Sequence, residues 1–249
     1  MSRTFLLAAL RPCQADMLSI ELSDSRRCLS AHVPAYSINA KAGFWDETIL
    51  RWERARYSFL ALANPFAWTV RERMRLAQLL LRIEFQHCRS ILDLGCGSGY
   101  LAYSVIDHDN RQYMGLDFSR MAIGTGRRRF QRYSSRVRFE QRDILEAARL
   151  DAQIVVFLGL LDWLDDDEIR RLFSTFNGQH LLFSFTETAG GLAGTLYRQY
   201  RRCADKTYHA RSFYESQIIE SAELGGYRVE TVLRSLRLGP GRLVVASKK

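Results

Sequence analysis

From about residue 86 the chain alternates short apolar, β-branched runs with longer stretches in which apolar positions recur every three to four residues. The runs "SILDLG" (90–95), "QYMGLD" (112–117), "RVRFEQ" (136–141), "AQIVVFLG" (152–159) and "HLLFSFT" (180–186) predict strands. Helices are expected near 98–107, 119–133 and 165–176; the last opens in "DWLDDDEIRRLF", with acids in its first turn, where the macrodipole favours them. Regular alternation of this kind describes a doubly wound parallel sheet. The closing "YRVETVLRSLRLGPGRLVVASKK" places two strand-like runs around a GPG turn and adds an antiparallel hairpin. The expected fold is therefore α/β, Rossmann-like and seven-stranded, with an antiparallel C-terminal hairpin.

The text before residue 86 is helical and aromatic. Leu76, Leu79, Leu80 and Ile83 are spaced as one helix face, and Asn64-Pro65 separates that helix from the one before it. Residues 1–85 are expected to form a mainly helical cap on the substrate side, and residues 86–249 the nucleotide-binding domain. The opening "MSRTFLLAAL" has too short an apolar run for a secretory leader and is expected to be a strand or helix turn.

The stretch "ILDLGCGSGYL" (91–101) is a strand running into a glycine-rich turn. A dinucleotide fingerprint spaces its glycines G-x-G-x-x-G and rests a pyrophosphate on the helix that follows. Here the spacing is G-x-G-x-G, at Gly95, Gly97 and Gly99, and Asp93 stands just before the turn. A carboxylate there repels a pyrophosphate and suits an ammonium. S-adenosylmethionine has that ammonium and no phosphate. Asp117 ends the second strand, placed to accept from two ribose hydroxyls, and Asp143 follows the third, placed to accept from an adenine amino group between Phe118 and Ile144. An Asp after a strand is also an ordinary helix cap; three at the ends of successive strands describe a ligand.

On these residues, 86–186 resembles the class I S-adenosylmethionine-dependent methyltransferases, with "LDLGCGSG" as first motif, "GLDFS" as second, "RDI" as adenine motif and "VVFLGLLDWL" as fourth-strand motif. The resemblance implies a transferase that uses S-adenosylmethionine, yields S-adenosylhomocysteine, and holds the cofactor with Asp93, Gly95, Cys96, Gly97, Gly99, Asp117, Phe118, Asp143, Ile144 and Leu158. "HLLFSFTETAGGLAGTLYRQYRR…TYHARSFYESQIIESAELGGYRV" is more distantly similar to the branch containing magnesium-protoporphyrin methyltransferases. That branch commonly carries a His where this chain has Trp163, so only a small anionic acceptor, methylated on oxygen, is inferred from it.

An ionised oxygen acceptor needs no base, so anion holders matter as much as bases. Residues 187–215, with hinge glycines and a mixture of basic and aromatic side chains, are expected to form a lid. Candidate acceptor contacts are Trp163, Tyr197, Arg198, Arg201 and Arg211. Candidate catalytic groups are Asp162, which could instead cap the acidic helix; His209; and Tyr36, similar to the N-terminal tyrosine that many small-molecule members fold over the cofactor. No metal is expected.

Composition adds two points. Five cysteines without metal-type spacing fit reduced thiols and a cytoplasmic protein, and no stretch is long and apolar enough to span a bilayer. The net charge of +9 lies on the flanks of the central domain, and "RRRFQRYSSRVR" (127–138) offers phosphate-binding potential. An RNA methyltransferase is thus the first alternative, although the fourth strand lacks an Asn-Pro-Pro-Tyr type motif. A non-catalytic binding module is the second.

Overall fold

The computed structural model describes residues 38–57, 65–107, 110–145, 151–188, 210–234 and 240–249. Two helices come first, α1 (Ile38–Tyr57) and α2 (Pro65–Ile83). Then follow β1 (Ser90–Leu94), β2 (Gln112–Asp117), α3 (Arg120–Arg129), β3 (Val137–Gln141), β4 (Asp151–Leu158), α4 (Asp166–Thr175), β5 (Asn177–Thr186), α5 (Glu215–Leu224), β6 (Tyr227–Arg234) and β7 (Gly241–Lys248). The strands form one sheet in the order β3-β2-β1-β4-β5-β7-β6, in which β7 runs opposite to the other six.

Alternation along the strands sorts their side chains into two cores. Leu92, Leu94, Val155, Phe157 and Phe183 pack with Ile169, Leu172 and Phe173 of α4 and with Ile218 and Ala222 of α5. Ile91, Tyr113, Ile154, Val156 and Leu182 pack on the other face with Ala77 and Leu81 of α2 and Ile123 of α3. The sheet is thereby covered on both sides, as a parallel sheet requires. β1 pairs with both β2 and β4, so the strand order reverses there and a crevice opens at the carboxyl ends of these strands.

Two expectations change. The helix foreseen over 98–107 is a single 3₁₀ turn, Tyr100–Ser104, because Gly97 and Gly99 hold left-handed backbone up to its start. The apolar row foreseen on α2 is not its buried face: Leu79 is 51% and Ile83 61% exposed, whereas Ala77 and Leu81 are fully buried. Polar anchors set that rotation, since Gln78 donates to the Tyr100 carbonyl at 2.9 Å and Arg82 to the Tyr103 carbonyl at 3.2 Å. The acidic helix start is confirmed, with Asp165 and Glu168 forming a reciprocal capping box.

Candidate functional site

The loop after β1 is built from three glycines at φ 69°, 55° and 83° (Gly95, Gly97, Gly99), a region that L side chains rarely occupy. Space forbids a side chain as well. A methyl group on Gly95 would lie 3.2 Å from Leu160, one on Gly99 would lie 2.5 Å from Phe139, and one on Gly97 would overlap the Glu53 carboxylate. Gly95 N and Cys96 N both donate to the Leu116 carbonyl, which ties the loop to β2 and buries the Cys96 thiol.

The carboxylates expected to hold the cofactor stand around this loop. Asp117 accepts from Gly97 N and Ser119 N, each at 2.8 Å, and so joins the loops after β1 and β2. Burial pushes its carboxyl up to about 6, against the pull of those two N–H groups and with repulsion from Glu53 and Asp46. Asp93 is buried and accepts from the Tyr113 hydroxyl at 2.6 Å. Burial pushes it up to about 7, the Tyr113 bond opposing and Asp117 adding to the rise. Asp143 accepts from Leu145 N at 2.8 Å, beside a buried Ile144, and Phe118 is partly exposed after β2. Leu158 ends β4 across the crevice.

Helix α1 supplies what the sequence reading missed. Glu53, buried, accepts from Ser98 N at 2.8 Å and from the Ser98 hydroxyl on the glycine loop. Asp46, seven residues earlier on the same face, accepts from the Ser119 hydroxyl at 2.8 Å and from Met121 N at 3.1 Å at the start of α3. Trp45 and Trp52 form the adjacent stripe and meet Trp163 after β4, with ring centroids 5.0 and 5.5 Å apart. One helix therefore touches the loops following β1, β2 and β4. Arg129 closes the network, donating to the Ser98 carbonyl at 2.9 Å and to its hydroxyl at 2.7 Å while lying over the Tyr100 ring. Tyr57 stacks on Tyr100 at 3.9 Å, and burial pushes its phenol up to about 12.

Two expected residues serve other partners. The Asp162 carboxylate is buried and accepts from Thr186 N at 2.9 Å and the Thr186 hydroxyl at 2.6 Å, fastening the turn after β4 to the end of β5. It neither faces the crevice with a free oxygen pair nor caps α4, where Asp165 is the cap. Arg211 donates to the Leu164 carbonyl at 2.8 Å and pairs with Asp166 at 2.7 Å, bracing the start of α4. Tyr36, Tyr197, Arg198, Arg201 and His209, with most of the expected lid and the opening segment, lie outside the described residues. Among the described residues no three His, Cys, Asp or Glu side chains are grouped as a metal site needs, and no helix is long and apolar enough to cross a membrane.

The crevice fits S-adenosylmethionine. Its glycine cradle admits no side chain, and its two buried carboxyls are both held above their usual range, so a cationic ligand is favoured and a pyrophosphate is not. Residues 91–178 match a family model described as a methyltransferase domain. This match, the fold and the motifs at the carboxyl ends of β1, β2 and β3 support the class I S-adenosylmethionine-dependent methyltransferase fold.

The structure is similar to magnesium protoporphyrin IX methyltransferase (ChlM) from Synechocystis PCC 6803 with bound SAH, at 17% identity over 86% of this chain and 100% of that one, TM-score 0.70. It is also similar to the mitomycin 7-O-methyltransferase MmcR, at 16% identity over 86% of this chain and 69% of that one, TM-score 0.59. The pyocyanin biosynthetic protein PhzM aligns at 18% identity over 70% of this chain and 54% of that one, TM-score 0.58. No curated protein sequence matches the chain.

Proposed function

We propose that this protein transfers a methyl group from S-adenosylmethionine to an oxygen of a small anionic molecule in the cytoplasm. The observation that carries the reading is the course of α1, which touches the loops after β1, β2 and β4 and packs Trp45 and Trp52 against Trp163; in this reading those rings wall the acceptor side. A walled, aromatic site suits a small molecule; a polynucleotide needs an open basic groove.

Three of the six arginines in the cluster that favoured RNA are engaged within the fold. Arg127 donates to the Phe139 carbonyl, Arg129 to Ser98 and Arg136 to the Ile106 carbonyl. Residues 1–85 act as the cap and 187–215 as the lid in this reading. The free, buried thiols of Cys88 and Cys96 agree with a reducing compartment.

Gly95, Gly97 and Gly99 would let the backbone approach the cofactor, with Asp93, Asp117 and Glu53 supplying negative charge, Asp143 a hydrogen-bond acceptor, and Phe118, Ile144 and Leu158 apolar walls. Bound there, S-adenosylmethionine supplies a methyl carbon already activated by its sulfonium sulfur. What the chain contributes is alignment and exclusion of water. With Asp162 committed to Thr186 and Asp93 to Tyr113, neither is a ready base, which supports an acceptor already ionised at neutral pH.

The test is incubation with methyl-labelled S-adenosylmethionine and, separately, with cell extract fractionated by charge and with total tRNA. Label in the anionic small-molecule fraction is expected. Label in tRNA, or in no fraction, overturns the reading.

A further inference from the structure

A thiol and a buried guanidinium meet at the amino edge of the sheet, at the opposite end of the strands from the crevice. Cys88 lies between α2 and β1, 7% exposed, and its N–H donates to the Phe85 carbonyl at 3.0 Å. Arg111 stands immediately before β2, 3% exposed, and its Nη2 donates to the same carbonyl at 2.5 Å. One oxygen therefore tethers the cysteine turn and the guanidinium together. Phe85 is itself fixed in the core beneath α2, its ring centroid 5.2 Å from that of His180. The other terminal nitrogen of Arg111, Nη1, is buried and has no hydrogen-bond partner.

A buried guanidinium nitrogen left unpaired is unfavourable, and an oxyanion formed beside it would be held by a charge-assisted bond. The neighbouring group that can become such an anion is the Cys88 sulfur. Each of the two feels the other: burial raises the Cys88 thiol and Arg111 draws it down, while burial lowers the guanidinium and Cys88 opposes. Cys96 supplies a contrast within the same molecule. It is buried to the same degree, 9% exposed, but burial is reinforced there by Asp117, Asp93 and Glu53, which push the thiol further up. Negative charge on sulfur is thus favoured by the surroundings of Cys88 and opposed by those of Cys96.

We infer that Cys88 is a site of modification by hydroperoxides, whose oxidised, anionic sulfur is received by Arg111 Nη1. The Cys88 thiolate attacks the terminal oxygen of the peroxide; an S–O bond forms, the O–O bond breaks, and the oxide that leaves takes up the proton the thiol gave up. Sulfur is oxidised by two electrons and the peroxide is reduced by two. The sulfenic acid so formed gives its own proton to solvent, and the sulfenate oxygen accepts from Nη1. The site is independent of the reaction at the crevice.

The test treats reduced, full-length protein with hydrogen peroxide in the presence of dimedone, which caps sulfenic acids, and maps the label by mass spectrometry of tryptic peptides. Cys88 falls in Ile83–Arg89 and Cys96 in Ser90–Arg111, so the two thiols are read separately. Cys88 is expected to be labelled at least about tenfold faster than Cys96. Arg111→Met is expected to slow labelling of the Ile83–Arg89 peptide, which the substitution leaves unchanged, and Arg111→Lys, which keeps the charge but loses the fork, to slow it less. Label at Cys96 as fast as at Cys88, no label at Cys88, or labelling of Cys88 undiminished in both variants overturns the inference. The comparison of the two thiols in wild type needs no substitution and decides the matter should a variant not fold.

Discussion

Gly97→Ala and Glu53→Ala, made singly and together, measure how α1 is fastened to the cofactor loop. At φ 55°, alanine at 97 carries a left-handed penalty of about 1–2 kcal/mol. Its methyl group would also overlap the Glu53 carboxylate and force it off Ser98 N and the Ser98 hydroxyl. Losing those charge-assisted bonds costs about 1.5–3 kcal/mol, so Gly97→Ala should lose about 2.5–5 kcal/mol in all. Glu53→Ala alone should lose only the second part, about 1.5–3 kcal/mol. In the double variant that part is lost once, so its cost should equal that of Gly97→Ala alone and fall about 2 kcal/mol short of the sum. Urea unfolding followed by tryptophan fluorescence reads all four proteins with the wild type as reference. Additivity within about 0.5 kcal/mol would show that Glu53 does not sit on Gly97, and the account of α1 would fall.

Three further outcomes are expected. Asp93 is held at about 7, above its unfolded value of 3.8, so its burial is tolerated below about pH 4 and penalised as pH rises to 7. Wild type should therefore lose stability relative to Asp93→Asn over that window, by up to about 4 kcal/mol, and level off above it; urea midpoints that move together across pH refute this. Arg129→Ala, which removes two bonds to Ser98 and the packing on Tyr100, should cost about 1–2 kcal/mol, while Arg128→Ala at an exposed position should stay within about 0.5 kcal/mol. Asp162→Asn leaves one Thr186 donor without its charged acceptor and should lower Tm by about 5 °C in a calorimetric scan; an unchanged Tm would return Asp162 to the list of candidate bases.

The sheet could be read from the chain because its strands announce themselves locally, as β-branched runs bounded by glycine and aspartate, and four of the five expected parallel strands begin and end within a residue of their observed positions. β5 begins three residues earlier than expected, since Asn177 and Gly178 already pair with β4. The cofactor motifs were legible for a similar reason, since each lies where one strand ends.

What could not be read depends on contacts distant in sequence. Asp162 finds Thr186 twenty-four residues away, and Arg211 finds Leu164 and Asp166 across more than forty. Nothing local distinguishes Asp162 from Asp165, the true cap, within a run of acids. The rotation of α2 is set by where Gln78 and Arg82 meet the 3₁₀ turn, not by its leucines. One signal was available in the chain: Trp45-Asp46 recurs as Trp52-Glu53 at a spacing of seven, which sets tryptophans and acids on adjacent stripes of one helix.

The most direct test of the cofactor site is calorimetric titration of cofactor-free wild type with S-adenosylhomocysteine, with Asp117→Asn in parallel and NADH as control. One molar equivalent should bind to wild type, more weakly to the variant, with no heat from NADH. Cofactor-free wild type that takes no S-adenosylhomocysteine, or takes NADH in its place, would contradict the assignment of this crevice.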